Sequence, residues 1–215
     1  ISSSRIQDAF ERIVMWLRKK SFVMNKKEKE ITSYHEVGHA IVWRLLPNSD
    51  PVHKVSIVSR WGALWVTWFL PERDEVLVSK AKFLDELATL YGGRVAEEIF
   101  FWKENITTWA SNDIERATKI ARWMVTRYGM YEDIWAENFA WDSVSWNHLW
   151  AEWNRVEYSG KTAEAIDIKV KEILDWAYAV AKDIVIKNKK LHEKIALDLI
   201  EKEEIDREEF EAYFS

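Results

Sequence analysis

No cysteine occurs among the 215 residues, which removes disulfides and thiolate metal ligands together. Any bound metal must then be held by nitrogen and oxygen, and a reducing compartment is compatible with the chain. No uninterrupted apolar run reaches the roughly 18 residues of a membrane span. A basic footprint for nucleic acid is missing as well: the formal net charge is −5, and Lys and Glu are interspersed, as on solvated helix faces. Ile1 to Phe10 is polar, without the basic start or apolar centre of a signal peptide, so none is expected. What is present is globular, because 48% hydrophobic and 31% charged residues exclude a disordered tail. The length suits one large domain or two small ones.

The densest chemistry lies in His35-Glu36-Val37-Gly38-His39. Residues four apart on a helix differ by about 40° around the axis, so both imidazoles leave the same face and can share one tetrahedral ion. Glu36 falls beside them as a candidate general base. Zinc lowers the pKa of a bound water to about 7, and a carboxylate that takes its proton leaves a nucleophile able to attack a carbonyl. The helix has its own signals. Asn25 and Glu28 have capping-box spacing, and Pro47 with Asn48-Ser49-Asp50-Pro51 closes the segment. Ile31, Tyr34, Gly38, Ile41, Val42 and Leu45 form one apolar stripe with His35 and His39 on its margin, as at the lip of a cleft. Two histidines satisfied by hydrogen bonds in a core are the alternative that the motif leaves open.

Further along, Val52 to Leu70 predicts a strand pair, with Val55 and Ile57 and then Leu64, Val66, Trp68 and Leu70 in alternation and Arg60 to Gly62 as the turn. A helix is expected from about Ser79 to Phe101. Gly92-Gly93 in its middle implies close packing on another helix. A third helix should start near Ser111 and stop at Gly129, placed for a left-handed cap. Met130 to Tyr158 keeps neither period and reads as an irregular connection. Helical periodicity returns from Ser159 to about Asn188, continues from Lys189 to Lys202, and a short helix opens at Asp206 with Glu209 three positions on. The expected fold is mainly α with a small β hairpin or sheet and a C-terminal helical bundle. Its parts are a lead-in over 1–25, a metal-site core over 26–130, a connection over 131–158 and a helical subdomain over 159–215.

A zinc hydrolase needs a third protein ligand. Val42 and Leu45 occupy the positions where a metzincin has Gly and His, so that class is rejected. Glu86, Glu97, Glu98 and Asp113 are the candidate carboxylates. Asp113, in a Ser-Asn-Asp start before an apolar run, fits a helix cap and a metal ligand equally.

Four ordered runs carry a resemblance: Tyr34 to Val42, Leu46 to Val55, Leu90 to Ile99 and Ala110 to Ile114. They resemble the protease domain of the FtsH family of membrane-anchored, ATP-dependent AAA+ zinc proteases. The likeness is dense from about Lys26 to Gly129, weak from Met130 to Tyr158, and returns through the helical tail. It implies Zn2+ held by His35, His39 and Asp113, with Glu36 as the catalytic base. It also implies a homohexameric parent that feeds unfolded proteins or peptides to this domain with ATP, at the cytoplasmic face of a membrane reached through an N-terminal anchor. The nucleotide-binding module and anchor are not found in this chain, which therefore looks like an excised protease domain, soluble by itself. Gly160-Lys161-Thr162 is no phosphate loop, since Arg155 stands where glycine is required. An extended substrate is expected to pair with the strand edge at Leu64, Trp65, Val66 and Thr67. The rival readings are a catalytically inert helical oligomerisation module and a stand-alone peptidase with Glu98 as third ligand.

One departure stands out. Of fourteen Trp, seven (Trp16, Trp43, Trp61, Trp65, Trp102, Trp109 and Trp135) stand where the family pattern has glycine. Tryptophan at a glycine position with positive φ or close backbone contact should cost about 1 to 3 kcal/mol. Positive φ or crowded indoles are therefore expected there, unless these residues are not the natural ones; a single base separates the two codons.

Overall fold

The structure is a computed structural model that describes residues 24–58, 77–101, 110–134 and 159–215, together with the backbone of 66–69. It begins with α1, Lys26–Leu45, whose first turn is held as its sequence predicts. The Asn25 Oδ1 accepts from the Glu28 N–H at 2.8 Å, and the Glu28 carboxylate accepts from the Asn25 N–H at 3.0 Å. Every residue from Ile31 to Trp43 is buried. The one-sided stripe read from the sequence is thus too narrow, and His35 and His39 lie inside the protein rather than at a cleft margin. A helix enclosed on all sides must satisfy its small polar residues internally. Thr32 Oγ1 donates to the Glu28 carbonyl at 2.7 Å, and Ser33 Oγ donates to the Ala196 carbonyl at 2.6 Å.

Two apolar cores flank α1. The first lies among α2 (Lys80–Phe101), α3 (Ser111–Thr126) and α4 (Gly160–Lys187), where Leu87, Val95, Ala121, Met124, Ile166 and Ala177 meet. The second joins α1 to β1 (Val52–Ser56), to α5 (Lys189–Lys202) and to the chain end through Ile41, Val55, Ile195, Leu199, Ile205 and Phe210. Ser159 caps α4 and Asp206 caps α6 (Arg207–Ala212), each through a side chain that accepts from the N–H three residues on. Gly129 adopts φ 58°, the left-handed conformation predicted for it at the end of α3.

The β element is larger than a hairpin. β1 pairs antiparallel with β2 (Val66–Phe69), with Val55 opposite Thr67, and also with β3 (Glu204–Asp206), with Val55 opposite Ile205. The order is β2-β1-β3. Three residues are too short to show a period of two, so β3 escapes detection in the sequence. It is set by Glu203 at φ 65°, which turns the chain out of α5 and back along β1. The turn expected at Arg60 to Gly62 lies outside the described residues, as do the connection from 135 to 158 and the lead-in before 24.

The contact between α1 and α2 explains Gly92. A Cβ on Gly38 would lie 2.5 Å from the Gly92 carbonyl oxygen, and a Cβ on Gly92 would lie 2.5 Å from that of Gly38. Backbone meets backbone there, so no rotamer change can relieve an added methyl. Gly92→Ala should lower stability by about 1 to 3 kcal/mol, whereas Gly160→Ala, with open space around it at a helix start, should leave stability equal or higher by about 0.5 kcal/mol. Thermal denaturation of the two variants checks the contrast; equal losses would contradict it.

Candidate metal centre

Three helices supply the site. α1 carries His35, Glu36 and His39, α2 runs beside it, and the first turn of α3 brings Asp113. His35 is 3% exposed, while the Asp113 side chain, the most open of the three groups, is 25% exposed. The His35 and His39 Nε2 atoms are 3.0 Å apart, and Asp113 Oδ2 is 3.3 Å from each. Tetrahedral zinc with bonds of about 2.05 Å has ligand-to-ligand edges of about 3.3 Å, so this triangle matches one face of such a polyhedron.

The protonation pattern tells whether the triangle is an ordinary hydrogen-bond cluster. His35 Nδ1 lies 2.7 Å from Glu97 Oε1, and His39 Nδ1 lies 2.7 Å from the Thr89 carbonyl. Both partners are acceptors, so both Nδ1 atoms carry the proton and both Nε2 atoms present lone pairs when the rings are neutral. Two lone pairs and a carboxylate oxygen then converge with no hydrogen among them. Such a set repels itself unless a cation sits between its members.

The acid–base balance adds that positive charge is favoured there, as a proton on His35 Nε2 or as a bound cation. Burial opposes charge on the His35 ring, yet Asp113, Glu97 and Glu36 outweigh it and push its pKa up to about 10. Burial would raise the Asp113 carboxyl, but the two imidazoles hold it well below the usual carboxylate range. The pocket demands positive charge. Nitrogen and oxygen donors at these spacings suit a borderline divalent ion such as zinc.

The four candidate carboxylates separate cleanly. Asp113 faces both imidazoles, and α3 has no side-chain cap at Ala110, so capping does not account for it. Glu97, fully buried, takes the opposite nitrogen of His35. Glu98 accepts from the Tyr178 hydroxyl and pairs with Lys182 at 3.1 Å, and Glu86 pairs with Arg116 at 2.5 Å. Neither reaches the imidazoles. Glu36 is buried between the two histidines in sequence. Val66 and Thr67 belong to β2, one of the two outer strands of the sheet among the described residues; Leu64 and Trp65 lie outside the described residues.

Sequence reasoning missed two supports of His35. One is Glu97 as its orienting partner, hidden because a ligand and a ligand's partner have the same residue type. The other is Gly93, where a Cβ would fall 2.5 Å from His35 Nε2 and 2.6 Å from two ring carbons. The doublet Gly92-Gly93 was the available signal: one glycine admits the α1 backbone and the next admits the imidazole. Of the seven tryptophans at family glycine positions, Trp43 alone is described. It is helical and buried, and its indole N–H donates to the Asp50 carbonyl; the positive φ expected there is not found.

Glu97→Gln should weaken zinc binding about 10- to 100-fold, since partners of metal-bound imidazoles carry that much affinity. Gly93→Ala should do the same by displacing the ring. Chelator competition on folded protein measures both, and unchanged affinities would contradict this account of His35.

Comparison with known proteins agrees with the geometry. The family model described as "Peptidase family M41" matches residues 22–213. An "ATP-dependent zinc metalloprotease FtsH" of Rubrobacter xylanophilus is 44% identical over 211 residues, covering 97% of this chain and 32% of the relative. "ATP-dependent zinc metalloprotease FtsH 1" of a Thermoanaerobacter species is 42% identical over 100% of this chain and 35% of the relative. A Synechocystis relative, "ATP-dependent zinc metalloprotease FtsH 3", is 38% identical over 98% of this chain and 35% of its own length. The chain thus spans about a third of the length of the curated relatives it matches.

Proposed function

Because the chain belongs to peptidase family M41, we propose that it is the peptide-hydrolysing domain of a zinc-dependent endopeptidase. The carrying observation is the triangle of His35 Nε2, His39 Nε2 and Asp113 Oδ2, with edges of 3.0, 3.3 and 3.3 Å. These three residues hold the metal. Zinc, when bound, supplies a Lewis acid that polarises the scissile carbonyl and makes water acidic enough to lose a proton near neutral pH.

The remaining work belongs to the chain. Glu36, adjacent to His35, takes the proton from the attacking water and returns it to the nitrogen of the leaving amine. Glu97 and the Thr89 carbonyl keep the Nδ1 protons in place, so that both Nε2 lone pairs point at the metal. Burial of Glu36 and both histidines excludes bulk water from the reacting groups. The edge of β2 turned away from β1, at Val66 and Thr67, binds an extended substrate by backbone pairing, with little demand on its side chains. That suits unfolded polypeptide. In the parent protein an ATP-driven module delivers such substrate, in a hexamer anchored at the cytoplasmic face of a membrane; no helix among the described residues is long and apolar enough to cross one.

Glu36→Gln should keep one zinc per chain and lose casein hydrolysis by at least about 100-fold, while Asp113→Asn should lose zinc itself. Glu98→Gln should leave zinc content unchanged, which separates this reading from one with Glu98 as ligand. Folded wild-type protein without zinc or hydrolysis would leave the inert assembly module instead. Proline at Val66 or Thr67 should raise the Michaelis constant for peptides with little change in kcat; unaltered peptide kinetics in both variants would remove β2 from substrate binding.

A further inference from the structure

His192 of α5 is fully buried and takes no part in the metal site, yet it touches the segment that carries it. Its Nε2–H donates to the Tyr34 carbonyl at 2.9 Å, one residue before His35. Its Nδ1 is buried without a hydrogen-bond partner. The ring stacks on that of Tyr34 at 5.8 Å and leans on Phe100 at 4.7 Å. Burial drives its pKa down to about 4 against the pull of the Tyr34 carbonyl, so near neutral pH the ring is uncharged and its single proton is on Nε2.

An apolar residue would fill this aromatic cage without stranding a nitrogen, so packing does not explain a histidine here. Nor does carbonyl satisfaction, because Tyr34 lies inside α1, where the helical ladder already supplies a donor. What the bond does is fix position. It has a reciprocal partner: Ser33 Oγ donates to the Ala196 carbonyl at 2.6 Å. His192 and Ala196 are one turn apart on α5, and Ser33 and Tyr34 are consecutive on α1. The two buried bonds run in opposite directions and lock the axial and rotational register of one helix on the other.

That register matters because α1 has no slack against α2. Gly38 already meets the backbone of Gly92, and His35 lies so close to Gly93 that a methyl there would sit 2.5 Å from Nε2. Resting on the reading of the site given above, we propose that His192 is a positioning residue: with Ser33 it holds α1 at the register in which the His35 and His39 nitrogens meet Asp113.

Three variants of the full chain test this. His192→Met removes the donor at similar volume, His192→Gln keeps an N–H at about the same reach, and Leu199→Ala loosens the same helix away from the tether. His192→Met should weaken zinc binding about tenfold in chelator competition and lower kcat at saturating zinc with KM unchanged. His192→Gln should recover zinc affinity to within about threefold. Leu199→Ala, despite a comparable or larger fall in Tm, should stay within about twofold of wild type. Should His192→Met fail to fold, Ser33→Ala removes the reciprocal bond and should weaken zinc in the same direction. The proposal is overturned if His192→Met or Ser33→Ala binds zinc like wild type, or if Leu199→Ala weakens binding equally. Wild-type chain that binds no zinc removes the reading of the site, and this role with it.

Discussion

Three electron-pair donors brought within about 3 Å of each other inside a protein repel unless something positive lies between them, and this constraint organises the chain. With neutral rings His35 and His39 turn only lone pairs towards Asp113, because the outward nitrogen of each ring is already committed to an acceptor. The arrangement is unfavourable as a bare polar cluster and favourable as a cation site. Much of the remaining architecture can be read as the means of holding these atoms together against their repulsion.

The means are mostly steric and local. α1 is buried from Ile31 to Trp43, so it is held from several directions at once. On one side, two glycines of α2 let the helices approach until backbone touches backbone and His35 rests on Gly93. On the other, α5 and the sheet press apolar side chains against it while Ser33 bonds across to Ala196. β3, at the end of α5, clips the C-terminal segment to β1, so residues distant in sequence share one core with the metal helix. Asp113 arrives at the start of α3, where the helix dipole favours a carboxylate without a proton.

What could be read in the sequence follows from the range of each interaction. The His-Glu-x-x-His run, the Asn25–Glu28 box, the Gly129 turn and the helices over 80–101 and 160–202 are set by neighbours within a few positions, and their spacing is visible on the page. Asp113 is different: 74 residues separate it from His39, periodicity alone left it balanced against a capping role, and resemblance tipped the choice. Glu97 escaped because only the fold shows which nitrogen of His35 it faces. β3 escaped because three residues carry no pattern. The stripe on α1 is wider than the sequence suggests because a helix enclosed by other helices needs small and polar residues, such as Thr32 and Ser33, that look like a solvent face in isolation. At Trp43 the left-handed backbone expected from the sequence is absent because the position lies within a helix.

The central claim is that these donors hold one tetrahedral zinc ion. X-ray absorption at the zinc edge of the purified protein tests it most directly. The account predicts one zinc per chain in a four-coordinate shell of nitrogen and oxygen at about 2.0 to 2.2 Å, with outer-shell scattering from two imidazoles that is lost in Asp113→Asn together with the metal. A six-coordinate shell of oxygen alone, or a spectrum the same in wild type and Asp113→Asn, would contradict it.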